Sequence, residues 1–244
     1  MSSRPPRVVP AAPSARVGGS ARRGRVLRRI TNALVVLLPV AGVAWVLLAS
    51  TWLAVDRVEV LGAGRLSPSQ VEQAAAVATG TPLARVDTGA VEDRIRELAP
   101  VADVAVRRTW PGTLTVEVTE RTPAAGVLRN GAVSLVDSTG VVFATERALP
   151  TGVVRLQVDA PGPSDASTVA ALQVHAALPE ELRARVQIVR AASPASVVLL
   201  LADGRQVVWG RPGDTATKAA AALALLPKPG SVYDVSAGDV VVVK

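Results

Sequence analysis

From Ile30 to Val55 the chain carries no Asp, Glu, Lys, Arg or His, a run of 26 residues reading ITNALVVLLPVAGVAWVLLASTWLAV. A bilayer core is about 30 Å thick and takes about 20 apolar residues in helical form. At ~1.5 Å per residue the run reaches roughly 39 Å, which is long enough to span with tilt. Pro39 and Gly42 lie inside it, and membrane helices tolerate both better than soluble ones do. Trp52 stands where an interfacial aromatic anchor belongs. The run exceeds the apolar region of a cleavable signal peptide, which is about 7–15 residues, and Leu47-Leu48-Ala49 fits a cleavage site poorly. The expectation is therefore an uncleaved single transmembrane helix over 30–54.

The formal net charge of +7 suggests a nucleic-acid binder until the charge is located. Residues 1–29 hold eight arginines and no acid, and the remainder holds 19 basic against 20 acidic residues. Basicity is thus a property of the tail. Arg22, Arg23, Arg25, Arg28 and Arg29 abut the apolar run, so the positive-inside rule puts the N-terminus in the cytoplasm and everything after Asp56 outside the membrane. The same arginines suit anionic membrane lipid, or nucleic acid, electrostatically. Residues 1–21, rich in Pro, Ser, Gly and Arg, read as disordered. With no cysteine, disulfides and thiolate chemistry are excluded.

Beyond the run, Val55–Leu61 alternates as a strand and Gly62-Ala63-Gly64 turns the chain. Ser67-Pro68 starts a helix with Val71, Ala74, Ala75 and Ala78 on one face and Gly80 placed to end it. Thr88, or Asp87, starts a second helix, which Pro100 stops. Val101–Arg108 is a strand, Trp110-Pro111-Gly112 a turn, and Thr113–Thr119 a strand with Leu114, Val116 and Val118 on one face. Trp110, Pro111 and Gly112, like Gly62, read as fold determinants. The order β-α-α-β-β predicts an open three-stranded sheet with both helices on one face.

From Pro123 onward the texture is short strands and turns. Asn130-Gly131 signals a hairpin and Asp137–Gly140 a further turn. Ser167–Leu178 reads as a helix with Val169, Leu172 and Ala176 inward, and Thr215–Leu226 as an Ala/Leu helix. Val186–Val189, Val197–Leu201, Gln206–Trp209 and Val240–Val243 read as strands. This predicts an α+β chain whose second unit is a mainly antiparallel β domain with two helices.

Chemistry is scarce. Gly62-x-Gly64 between a strand and a helix resembles a dinucleotide fingerprint, but Ser67 stands in place of the third glycine and Asp87 caps a helix instead of ending a strand. His175 is the only histidine and forms no metal set or triad. No serine sits in a nucleophile elbow. No catalytic, cofactor or metal site is expected, and the chain reads as no enzyme. What remains is backbone: a C-terminal Val240-Val-Val-Val-Lys244 strand whose edge can template another chain.

Val55-Asp-Arg-Val-Glu-Val-Leu-Gly62, Leu98-Ala-Pro-Val101 and Val106–Arg121, with the run Arg-Arg-Thr-Trp-Pro-Gly at its centre, resemble a POTRA domain. Together with Leu135–Phe143, Lys218, Leu225-Leu226 and Tyr233-Asp-Val235, the chain is similar to the FtsQ/DivIB family of bacterial division proteins. The resemblance implies four parts: a cytoplasmic tail (1–29), a transmembrane helix (30–54), a POTRA domain (55–122) and an FtsQ-type β domain (123–244). It implies a non-enzymatic scaffold in the plasma membrane at the septum, part of the divisome. Such a scaffold holds FtsB and FtsL-like single-pass proteins and meets other divisome proteins through the POTRA domain. Partner binding by strand addition would map onto Asp239, Val240, Val241, Val242, Val243 and Lys244, approached through Tyr233. The weighed alternatives are an anchored envelope enzyme and a membrane-tethered nucleic-acid binder using Arg22–Arg29.

Overall fold

A computed structural model describes residues 31–43, 45, 51–237 and 242–243. Residues 31–43 and 45 are helical, and their apolar side chains, Leu34 to Val43 and Trp45 among them, are exposed. Among the described residues no helix is long and apolar enough to cross a membrane. The rest of the apolar run up to residue 50, and the arginines of the tail, lie outside them.

The first module begins at a single 3₁₀ turn, Thr51–Leu53, and runs to Glu120. Strands β1 (Arg57–Leu61), β2 (Val101–Thr109) and β3 (Thr113–Glu120) form a sheet in the order β1-β3-β2, with β3 parallel to β1 and antiparallel to β2. The strand expected from Val55 starts at Arg57, because residues 54 and 55 pair elsewhere. Ala54 bridges Pro82, and Val55 exchanges backbone hydrogen bonds with Thr81 (2.8 Å) and Gly80 (2.9 Å).

Helix α1 (Pro68–Ala75) starts at a capping box: the Ser67 hydroxyl accepts from the Gln70 amide while the Gln70 side chain accepts from the Ser67 amide. It stops sooner than Gly80 suggests, because Ala76 adopts the left-handed conformation (φ 48°). Arg94 of α2 (Thr88–Arg96) donates to the Ala75 carbonyl, tying the two helix ends together. Val71, Val91, Ile95, Leu114 and Val116 are fully buried between helices and sheet, each contributing about 1.5–3 kcal/mol relative to exposure.

The second module is a nine-stranded sheet: β4 (Ala125–Arg129), β5 (Ala132–Val136), β6 (Val142–Glu146), β7 (Val154–Gln157), β8 (Val186–Ser193), β9 (Ser196–Leu201), β10 (Gln206–Gly210), β11 (Val232–Asp234) and β12 (Val242–Val243). Their order is β12-β11-β10-β9-β8-β7-β4-β5-β6. The β4–β5 hairpin turns on Asn130 (φ 50°) and Gly131 (φ 78°), both left-handed as the Asn-Gly pair predicts.

The sheet is more mixed than expected, since β4–β7, β7–β8 and β10–β11 are parallel. Two of these pairs follow from the helices. A parallel neighbour needs a crossover, and α3 (Ala166–Ala177) carries β7 to β8 while α5 (Thr215–Leu225) carries β10 to β11. Both crossovers step the same way along strands of one direction, so right-handed connections put both helices on one face. A single core containing Leu172, Val174, Val189, Leu199, Trp209, Ala222 and Tyr233 results. A further one-turn helix, α4 (Glu180–Arg183), lies between α3 and β8. The buried residues of α3 are Thr168, Ala170, Ala171, Leu172 and Val174; of the three expected inward, Leu172 is buried, Val169 half-buried and Ala176 exposed. That helix is apolar nearly all round, so periodicity alone points its face poorly.

Candidate partner-binding edge

The last three strands are built from the crossover outward. Trp209 is fully buried, and Lys218 of α5, itself buried, lies 6.0 Å from its ring and donates to the Arg211 carbonyl. Strand β11 then lies in register with β10, Val207 beside Tyr233 and Val208 beside Asp234. Tyr233 is fully buried. Its hydroxyl lies 2.7 Å from the Lys228 carbonyl and 2.9 Å from that of Gly230, so the side chain fixes the loop into β11. Arg205 sits 5.8 Å from the Tyr233 ring and donates to the Leu226 carbonyl. Its charged form is favoured first by Asp203 and then by the Tyr233 hydroxyl.

Strand β12 pairs antiparallel with β11, Val243 beside Tyr233 and Val242 beside Asp234. It ends the sheet, with β11 as its one strand neighbour among the described residues. Asp239, Val240, Val241 and Lys244 lie outside those residues.

The Gly62–Leu66 turn holds an anion, but not a dinucleotide. The amides of Gly64, Arg65 and Leu66 all donate to the carboxylate of Glu120, at 2.8–2.9 Å. Burial pushes the Glu120 carboxyl up, and those three amides with the Arg65 charge outweigh it, so it ionises below the ordinary carboxylate range. The cradle that a phosphate would need is filled by the protein's own side chain. Gly62 (φ 80°) is required there, because a methyl group on it would lie 2.2 Å from the Val118 carbonyl oxygen.

Trp110, Pro111 and Gly112 form the expected turn, with a cis bond before Pro111. It packs on the entry of the module: the Asp56 amide donates to the Gly112 carbonyl at 2.8 Å. Arg108 is structural, donating to the carbonyls of Leu83 and Val86, whereas Arg107 forms an exposed pair with Glu117. His175, with Glu180 and Arg183, lines a cavity of about 400 Å³. Burial first, and Arg183 second, lowers the His175 pKa. Arg183 caps α3 by donating to the Ala176 and Leu178 carbonyls, so its cation is already engaged.

Between the modules, Arg65 pairs with Glu146 of β6 and lies over Phe143, while Arg121 pairs with Asp137 and donates to the Ala99 carbonyl. Sequence reading gave no role to Glu120, Arg65 or Arg121 in joining distant parts of the fold, and nothing local marks them, because their partners stand up to 81 positions away.

A family model described as POTRA domain, FtsQ-type matches residues 53–121, and one described as Cell division protein FtsQ/DivIB, C-terminal matches residues 126–240. The cell division protein FtsQ of Streptomyces bingchenggensis is 44% identical over 230 residues, covering 88% of this chain and 86% of that protein. The chain belongs to the FtsQ/DivIB family. The FtsQ of Mycolicibacterium smegmatis is 42% identical over 212 residues (87% of this chain, 63% of that protein), and that of Mycobacterium tuberculosis 37% over 235 (96% and 73%). The family places the chain in bacterial cell division at the septum, in a scaffold role, and the three-stranded module is its POTRA domain.

Proposed function

We propose that the chain is a non-enzymatic, single-pass scaffold of the divisome, with residues 1–29 cytoplasmic, 30–54 in the membrane, and a POTRA domain (55–122) and β domain (123–244) outside. It holds FtsB and FtsL-like single-pass proteins and so links early division proteins to septal peptidoglycan synthesis, while the POTRA domain meets other divisome proteins. The partner adds a strand along Asp239–Lys244, in register by main-chain hydrogen bonds. The observation that carries this reading is the position of β12 at the end of the sheet. Tyr233 acts from beneath, by fixing β11, the strand on which β12 lies. The apolar exposed helix over 31–43 and the unbroken apolar sequence after it support the anchor.

The test is capture of the extracytoplasmic part of the cognate FtsB by the full chain in detergent, with and without residues 239–244. Truncation should weaken capture by at least about 10-fold, equivalent to roughly 1.4 kcal/mol, with the melting of the remainder intact. Equal capture by both forms would move the site away from this edge.

A further inference from the structure

The exposed aromatic residues of the first module gather at one end. Trp52 is 89% exposed and Trp110 48%. The turn bearing Trp110 is fastened to the chain just after Trp52: the Asp56 amide bonds the Gly112 carbonyl, and a methyl on Gly112 would lie 2.8 Å from the Ala54 carbonyl oxygen. The 3₁₀ turn Leu83–Arg85 joins the same end, through the Ala54–Pro82 bridge on one side and the Arg108 bonds to Leu83 and Val86 on the other. Arg57 and Arg85 are both exposed there. Among the described residues two acids stand at this end, Asp56 and the α2 cap Asp87, against Arg57, Arg85 and Arg108, so the cations outnumber them by one.

We propose that this end of the module, Trp52, Trp110, Arg57 and Arg85, is a docking surface for anionic lipid headgroups. The inference rests on the anchor reading and goes beyond it. Ala54 and Val55 are buried and bonded into the module, so no free linker separates the apolar run from the fold. Trp52 is two residues from Ala54, within about 7 Å at ~3.3–3.6 Å per residue. A run that spans the bilayer therefore leaves this end at headgroup height. Tryptophan prefers that depth, and arginine there meets lipid phosphate. The same residues facing water would be a poorly covered apolar surface.

The chain lacks cysteine, so single spin labels can be placed on it. Labels at Ala41→Cys, Ala84→Cys and Ala202→Cys, in full-length protein reconstituted in phosphatidylglycerol/phosphatidylethanolamine vesicles, report depth through oxygen and nickel accessibility. The expected result is residue 41 in the bilayer, 84 at the interface and 202 in water. Combining the label at 84 with Trp110→Ser, Arg57→Gln and Arg85→Gln should shift it to the aqueous value while 41 stays buried. Residue 84 in water with 41 buried would overturn the docking surface and leave the anchor. An interfacial label at 84 that the substitutions do not move would overturn it too, since tethering alone would then hold it there. Residue 41 in water would overturn the anchor reading itself. Melting of the variant distinguishes loss of docking from loss of fold, and Arg85→Gln alone, in vesicles with and without phosphatidylglycerol, tests the charge contribution in a fold left intact.

Discussion

The two sheets treat their edges differently. In the POTRA module, β2, one of the two outer strands, has amides taken by carboxylates: Glu92 of α2 accepts from Val106 at 2.8 Å, and Asp103 from Val104 at 2.9 Å. At one end of the larger sheet, β6 is faced by the cation of Arg65, paired with Glu146. At its other end the sheet terminates in β12. Apolar alternation is the same signal in all of these strands. Whether an edge is closed is decided by carboxylates and cations that alternation does not reveal, here Asp103 next to Val104 and Glu92 14 positions before Val106.

The largest expected effect tests whether the two modules stand on separate cores. Gly62→Ala places a methyl against Val118 at a positive φ and should destabilise the POTRA module by roughly 3 kcal/mol. Calorimetry should then show that module melting first, with the fluorescence of buried Trp209 changing only in a later transition. A single shifted transition would mean the two cores are one cooperative unit.

Tyr233→Phe removes the hydroxyl bonded to the Lys228 and Gly230 carbonyls and should cost about 1.5 kcal/mol. Hydrogen exchange should rise in β11 and not in β1–β3. Equal protection in the variant would show that β11 is held by the sheet alone. Glu92→Ala should cost about 1 kcal/mol and convert β2 into an unguarded edge. Sedimentation velocity would then detect concentration-dependent self-association absent from the parent, and a monomeric variant would show that Asp103 and the helix suffice to close it.

The smallest effect is pH-dependent. Glu120 ionises below its ordinary 4.5, so its contribution is fully present above that value and is lost as pH falls through the lower folded value. Glu120→Gln should lower stability by about 1 kcal/mol at neutral pH and flatten the acid limb of the stability profile below pH ~4.5. Asp137 behaves in the same direction: burial opposes its charge, but Thr139 and Arg121 outweigh that.

Local signals carried most of the secondary structure. Ser67-Pro68, Asp87 and Asn130-Gly131 each fix a boundary through bonds that span three or four residues, and the alternation of Thr113–Thr119 marks the buried face of β3. The POTRA order was legible from these signals taken in sequence, and of the strand expected over Val240–Val243 the described residues 242–243 lie in β12. Parallel pairing in the second sheet was not, because it depends on where each crossover returns. The Glu120 cradle and the Arg65 and Arg121 ties were invisible because a lone carboxylate or guanidinium looks the same whether solvated or engaged. Lys218 was legible only through the family resemblance, since nothing in its alanine-rich surroundings says that it is buried against Trp209.

Only four residues, Arg121 to Ala124, separate β3 from β4, and the first of them is bonded both backward, to Pro100 and Ala99, and forward, to Asp137. A joint so short, braced a second time by Arg65, acts as a strut and not as a tether. The consequence is metric. On the function proposed above, a joint braced in this way would hold the span from the foot of the first module to β12 near a set length, so the scaffold would work as a ruler, presenting a partner strand at one height above the membrane.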